Sequence, residues 1–356
     1  MYRPEIERLS VARDVVLSPW NTLQLGGPAR FFAAATDERT LLRLLQWAER
    51  EGLAVRLIGG GSNIVIADEG VDALVIHTAL RGVTIQPTVD CVELTLAAGE
   101  PWDDAVARAV AAELSGIEAL SGIPGLSGAT PIQNVGAYGQ EISQVFARAR
   151  VLDRHSLEVT TFSAEDCRFG YRDSVFKRHP DRWIVLDLTL RLRTGEHDIP
   201  CHGELAQRLR GMRAPSPLHI RNTVLELRRA KSMVLDPANP NTRSVGSFFT
   251  NPIVSLAHAD RIEQRLGNGL PRHPHADGVK LPAAWLIERA GLRRGTRRGG
   301  IGISTDHALA LVNLGNGTTT ELLEFAAEIR RRVYEHFEVT LEPEPVLWGT
   351  AWPWAS

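Results

Sequence analysis

The stretch from Ser121 to Glu141 limits this chain more than any other. It holds Gly122, Gly125, Gly128, Gly136 and Gly139 with Pro124 and Pro131, yet keeps Ile123, Leu126, Ile132 and Val135. Glycine and proline at that density bar a regular helix or a central strand. The apolar residues bar a solvated linker. What remains is a long ordered loop, and loops of this kind in compact domains bind or cover something. Its glycines allow close backbone approach to a ligand, and Ser127, Thr130, Gln133 and Asn134 add donors. A structural loop packed on its own side chains is the competing reading.

A second glycine cluster, Gly59-Gly60-Gly61-Ser62-Asn63, lies between the strand-like runs Ala54–Ile58 and Ile64–Ala67. Successive glycine N–H groups can form an anion-binding nest. The spacing is not G-x-G-x-x-G and no helical pattern follows, so a Rossmann dinucleotide site is disfavoured. A tight strand-to-strand turn explains the cluster equally well. Two separate nests together suit a ligand with two phosphates and an extended body, such as a dinucleotide cofactor.

The surrounding periodicity is mixed. Leu41, Leu44, Leu45, Trp47 and Ala48 form an apolar stripe on a helix starting near Thr36, and Trp102 to Leu114 predicts a second amphipathic helix. Strands are predicted at Val75–Ile76, Cys91–Leu96, Ala147–Leu152 and Trp183–Leu190, then helices at 282–290 and 318–337, with a connector at Arg213–Pro217. This alternation predicts an α+β or mixed α/β chain, and 356 residues predict two or three domains. A formal charge of −2 supplies no field for nucleic acid or anionic lipid, so neither is an expected partner. No apolar run reaches the length of a membrane span, and the charged first ten residues are not expected to be a signal peptide. Cys91, Cys167 and Cys201 lack metal or redox spacing and read as buried thiols of a reducing compartment, so the cytoplasm is expected.

Three further segments carry candidate chemistry. Cys167 to Lys177 groups aromatic and cationic side chains, and Arg172 there can clamp a carboxylate with its planar fork. Ser244-Val-Gly-Ser-Phe-Phe-Thr-Asn-Pro252 presents Ser247 between a glycine and two aromatics, a setting for proton donation without the context of a hydrolase nucleophile. Leu341-Glu-Pro-Glu-Pro345 places Glu342 and Glu344 on one face if the segment is extended. Each also reads as an ordinary surface feature. His273-Pro-His-Ala-Asp277 lacks a fourth ligand, so no metal is expected. Arg293 to Arg298 reads most simply as a solvated basic loop. Lysine is nearly absent: only Lys177, Lys231 and Lys280 occur among 40 basic residues. Where an ammonium is kept, a compact point charge can be the reason.

In this order the motifs resemble those of the UDP-N-acetylenolpyruvoylglucosamine reductases, flavoenzymes of bacterial peptidoglycan synthesis. The matching pieces are Pro19–Thr22, Gly59–Asn63, Ile123–Gly125, Pro131–Gly139, Cys167–Lys177, Gly246–Pro252, Ala284–Glu288 and Leu341–Glu344. The resemblance implies an α+β chain with a PCMH-type FAD-binding fold of two subdomains plus a third α+β substrate-binding domain. The implied boundaries are 1–78 and 79–230 for the FAD subdomains (the PCMH-type region being about 25–193) and 231–339 for substrate, with 340–356 packing back on the first. It implies FAD held by Gly59, Gly60, Gly61, Ser62, Asn63, Ile123, Pro124, Gly125, Ser127, Gly128, Gln133, Asn134, Gly136 and Ala137. NADPH is the implied hydride source, and the enolpyruvyl ether of UDP-N-acetylglucosamine the acceptor. Ser247 would protonate the carbanion-like carbon, while Arg172 and Glu344 hold and polarise the substrate carboxylate. Tyr138, Tyr171, His202, Lys231, Asn251 and His307 would contact the UDP-sugar.

Tyr138-Gly139 and the intact 167–177 segment resemble the subtype with an extra substrate-contacting loop, although His202 stands where that subtype has tyrosine. After Glu344 the usual Val-Arg is replaced by Pro345-Val346, so a different local backbone is expected there. The resemblance leaves a monomer as the expected state. Two other readings share some of these features: a PCMH-type FAD oxidase of an alcohol or sugar, and a non-enzymatic UDP-sugar-binding module.

Overall fold

The computed structural model describes residues 9–195, 203–267 and 269–355. The chain divides into two compact units that do not follow sequential cuts: one gathers 1–15, 29–60 and 72–234, the other 16–28, 61–71 and 235–356. The sequence-based cuts at 78, 230 and 339 run along the chain. The second unit instead draws two early segments to the C-terminal half, because residues 23, 25 and 65 bury their side chains in its core.

The first unit holds two sheets. One has the strand order Ala12–Val16, Pro28–Ala35, Val71–Thr78, Val55–Ile58, the last two parallel. The helix Glu38–Arg50 buries Leu41, Leu44, Leu45, Trp47 and Ala48 in the core beside it. Asp37 caps that helix by accepting from Thr40 N–H at 2.8 Å, and Trp47 meets Phe31 edge-on at 5.2 Å. Removing so large a buried side chain costs about 3–5 kcal/mol. The other sheet is antiparallel: Val159–Ser163, Phe146–Asp153, Trp183–Thr194, Val92–Ala97, Val83–Pro87, with the short Leu114–Ser115 also paired to Trp183–Thr194. The helix Trp102–Ala111 ends three residues earlier than its apolar pattern predicts, since Leu114 turns into that short strand.

The helix Pro217–Arg229 begins at the last residue of the expected Arg213–Pro217 connector and was not expected from the sequence. Ser216 caps it, Pro217 occupies its first turn, and Ile220, Thr223, Val224 and Leu227 are buried.

The second unit is built around the helix Thr319–Phe337. Its Thr318/Glu321 capping box closes the N-terminus, and the Asp68 carboxylate accepts from Thr319 and Thr320 N–H at 2.7 and 2.9 Å. A carboxylate there complements the helix dipole. Short sheets surround the helix, among them a parallel pair of Ile64–Ile66 with Val346–Trp348. Among the described residues no helix is long and apolar enough to cross a membrane.

Candidate functional site

In the first unit the two glycine motifs meet. A Cβ on Gly60 would stand 2.8 Å from the Gly125 Cα, so the two backbones touch with no room for a side chain. Gly128 is equally confined, its Cβ position lying 2.5 Å from the Ala98 Cβ. The loop is tied down by Trp102 N–H to Gly125 O (3.0 Å), Ser127 N–H to Glu100 O (2.8 Å) and Gly128 N–H to Ala98 O (2.9 Å). Ile123 and Ala137 pack partly buried on the core beneath. Within this framework the Ser127 Oγ and Gln133 Oε1 are buried and unpartnered. Orphaned polar atoms in a glycine-lined cradle are what a bound polar molecule satisfies. The donor set, glycine N–H groups with a hydroxyl and an amide, suits a diphosphate and a heterocycle edge. The residues present fit FAD.

Asn134 is different. Its amide donates to the Glu141 carboxylate (2.9 Å) and the Gly170 carbonyl (3.1 Å), and its oxygen accepts from Ser143 N–H (3.0 Å). Its side chain is therefore committed to holding the loop. The Gly136 carbonyl accepts from Arg172 Nη2 at 2.7 Å, so the loop and the 167–177 motif are joined. Arg172 has φ +53°, and Lys177 Nζ donates to its carbonyl at 2.8 Å. That left-handed turn lets the guanidinium reach back to the loop and also lie 5.7 Å from the Tyr171 ring, whose side chain is exposed.

Tyr138 also has a positive φ, +52°, and is half-buried against Ile220, Val224 and Leu227. Burial pushes its phenol above the usual range, with Arg228 and Lys231 pulling the other way. Lys231 pairs with Glu204. The sequence reading missed a neighbouring cluster. Asp103 takes a two-pronged bond from Arg221 (2.6 and 2.9 Å) and another from Gly122 N–H (2.6 Å), clamping the start of the glycine loop. Burial alone would raise the Asp103 carboxyl, but Arg221 and the Gly122 amide outweigh it and hold it low. Arg228 donates to the Met233 carbonyl at 2.8 Å while its buried Nε stays unpartnered. The signal for this cluster was the Ser216-Pro217 helix start and the stripe that follows.

In the second unit the serine and glutamate motifs are laced together. Glu344 N–H donates to the Phe248 carbonyl (2.9 Å), Thr250 N–H to the Glu342 carbonyl (2.9 Å), and Phe249 pairs with Pro343 as an antiparallel bridge. Ser247 is half-buried. Asn63 joins the same ladder: its carbonyl accepts from Val346 N–H (3.0 Å) and its amide donates to the Glu344 carbonyl (3.4 Å). Gly61, with φ +61°, has its Cβ position 2.2 Å from the Trp20 carbonyl, and Ser62 follows it. Pro124 and Ser62 each make contacts of their own. Asn251 Oδ1 accepts from Ala283 N–H (2.9 Å) at the start of the helix Ala283–Arg289. His307 Nδ1 accepts from Leu309 N–H (3.1 Å). His202 lies outside the described residues.

The family model of an FAD binding domain matches residues 29–161, and that of the UDP-N-acetylenolpyruvoylglucosamine reductase C-terminal domain matches 236–348. The chain is 46% identical over 352 residues to the UDP-N-acetylenolpyruvoylglucosamine reductase of Thermobifida fusca, covering 96% of this chain and 98% of that one. Identity to the enzyme of the same name from Streptomyces coelicolor is 44%, covering 97% and 92%. The crystal structure of the Thermus caldophilus enzyme matches with a TM-score of 0.66 at 26% identity, covering 95% of this chain and 98% of that one. With both halves of the chain matched and the glycine cradle and serine–glutamate ladder in place, this chain belongs to the UDP-N-acetylenolpyruvoylglucosamine reductase family.

Proposed function

We propose that the chain reduces the enolpyruvyl ether of UDP-N-acetylglucosamine to UDP-N-acetylmuramate, with NADPH as the electron source and FAD as the resident cofactor. The observation that carries this reading is the ladder setting Ser247 beside Glu344 through Phe248. Gly59 to Asn63 and the 123–137 loop hold the cofactor, which supplies hydride chemistry when bound. Addition of hydride to the vinyl carbon builds negative charge on the neighbouring carbon and the carboxylate. Arg172 clamps that carboxylate with its fork, and Glu344 polarises it from the ladder. Ser247 delivers its Oγ proton to the carbanion-like carbon. A serine is a weak acid, so this transfer needs the dry, charge-stabilised setting that the cation provides. The oxidase and the binding-module readings leave the Ser247–Glu344 ladder without a role.

Finer assignments belong to the same proposal. Tyr138, Tyr171 and Lys231 receive the UDP-sugar, with His202 in the place of the subtype's tyrosine, and Asn251 and His307 complete the substrate side. The 1–78 and 79–230 segments act as FAD subdomains and 231–339 as the substrate domain, in a cytoplasmic monomer. Anaerobic mixing with NADPH, then with the enolpyruvyl substrate, tests the whole reading. The yellow protein must bleach with NADPH and recover its colour on adding substrate. Failure to bind FAD, or recovery without substrate in the absence of oxygen, overturns it. Sedimentation velocity tests the monomer.

A further inference from the structure

Ser247 has an open flank and a fixed flank. On the open side Gly246 has φ +76°, with nothing within 4 Å of its Cβ position, and its N–H donates to Ser244 Oγ at 3.2 Å. On the fixed side Phe248 is fully buried, donates its N–H to the Leu309 carbonyl (2.8 Å) and accepts from Glu344 N–H (2.9 Å). The Phe248 ring meets Phe249 at 5.1 Å and, edge-on, Trp352 at 5.9 Å with an interplanar angle of 86°. Trp352 in turn stacks on Trp354 at 5.2 Å and 14°. Arg330 lies 5.0 Å from the Trp354 ring, donates from Nε to the Leu341 carbonyl (3.2 Å) and pairs with Glu342 (3.8 Å). The contacts close a circuit: Arg330 to Leu341 and Glu342, through Glu344 to Phe248, then Trp352 and Trp354 back to Arg330. A helix side chain and two tryptophans thus hold both ends of the ladder that carries Ser247 and Glu344.

We propose that Trp352, backed by Trp354 and Arg330, is a positioning residue that fixes Ser247 relative to Glu344 for proton delivery. The inference rests on the reading of Ser247 as proton donor. An offset edge-to-face contact is directional, so it restrains the Phe248 ring in orientation as well as in place. Misplacing a reacting group by about 1 Å costs on the order of 100-fold in rate. Loss of one contact in a circuit that retains its hydrogen bonds should cost about a tenth of that, roughly tenfold. Reduction by NADPH uses neither Ser247 nor Glu344, so it should be spared.

The FAD-loaded enzyme is compared as wild type, Trp352→Ala, Trp352→Phe, Trp354→Leu and Ser247→Ala by anaerobic stopped flow, with substrate added after NADPH. Amide hydrogen exchange at Phe248 and Glu344 is followed on the same proteins without substrate. Trp352→Ala should reduce with NADPH within about twofold of wild type. Its substrate-dependent recovery of colour should be about tenfold slower, with a larger solvent-deuterium effect and faster exchange at both amides, and Trp352→Phe should restore most of the rate. Recovery within twofold of wild type, or equal slowing of both half-reactions, overturns the proposal. If Trp352→Ala retains no flavin, Trp354→Leu decides: partial slowing of recovery alone supports the proposal, and a normal rate overturns it. Ser247→Ala separates the two readings, because undiminished recovery in that variant refutes the proton-donor role whatever the tryptophan variants do.

Discussion

Gly60→Ala should weaken FAD binding and lower the stability of the apoprotein, whereas Gly59→Ala should leave apoprotein stability almost unchanged. Neither glycine has a positive φ, so alanine is allowed by the backbone at both and only the surroundings differ. At Gly60 the new methyl would lie 2.8 Å from the Gly125 Cα and 3.4 Å from its carbonyl carbon and nitrogen, all backbone atoms. At Gly59 the nearest atoms are the Leu126 side chain at 3.4 Å, which can give way. Forcing a methyl into a packed backbone contact costs about 1–3 kcal/mol. For a unit of this size that is a fall in Tm of roughly 2–12 °C, at about 2–4 °C per kcal/mol. Because the strain parts the two motifs that form the cradle, a similar energy should fall on the cofactor, raising the FAD Kd by about 5- to 150-fold. Thermal unfolding of flavin-free protein reads the first effect, and titration with FAD by quenching of flavin fluorescence reads the second. A Gly60→Ala apoprotein as stable as wild type refutes the packing argument. A destabilised variant with unchanged FAD affinity refutes the placement of the cofactor between these loops.

Arg172→Lys keeps the charge but loses the fork that reaches the Gly136 carbonyl at 2.7 Å, so kcat/KM for the UDP-sugar should fall about 100-fold with flavin reduction by NADPH unchanged; equal loss in both half-reactions would contradict a carboxylate clamp. Cys167 is fully buried, and burial pushes its thiol up from 9.0 to about 12, so thiol reagents at pH 8 should leave it unmodified in the native protein, as mass mapping would read. A raised acid pKa adds stability that is complete below 9.0 and is lost as pH rises toward 12, so Cys167→Ser should flatten the alkaline edge of the stability curve. Asp103 is shifted the other way: its native pKa lies below 3.8, so its ion pair stabilises fully above that value and fades as pH falls through the native pKa. Asp103→Asn should therefore destabilise near neutral pH and lose that effect in strong acid, and a gap that persists there would refute the linkage.

How much could be read without coordinates varied with how local the cause was. The helix Glu38–Arg50 was legible because its stripe and its Asp37 cap lie within the segment. The glycine loop was legible as an ordered loop because composition excludes a helix, a central strand and a solvated linker. The helix Pro217–Arg229 was not read, since Pro215 and Pro217 at its entry resemble a connector and its apolar stripe is short. Arg221 and Asp103 were missed for the same reason, as their meeting depends on that helix packing near Gly122. Asn134 was read as a loop donor from residue type and as an FAD contact from the resemblance, and only the positions of Glu141, Ser143 and Gly170 show its side chain bonded within the loop. The grouping of 16–28 and 61–71 with the C-terminal half depends on buried contacts across more than 200 positions, such as Asn313 Nδ2 to the Leu23 carbonyl at 3.0 Å, which no local pattern encodes.

The replacement of Val-Arg by Pro345-Val346 shows how a local rule can mislead about a site. Proline removes a backbone donor, so a proline directly after Glu344 predicts a broken ladder at the residue that matters most. The ladder, however, draws its donors from the positions on either side. Glu344 N–H goes to the Phe248 carbonyl at 2.9 Å and Val346 N–H to the Asn63 carbonyl at 3.0 Å. Val346 then continues into the parallel pairing with Ile64. Proline thus stands where its missing N–H leaves both recorded bonds intact, and its fixed φ stiffens the step between them. The side chain that replaces arginine at Val346 is about half exposed, so the exchange alters the surface of the strand and not its pairing. Glu344 is held on one side by the serine motif and on the other by the glycine–serine–asparagine motif, and the substitution beside it is compatible with both attachments.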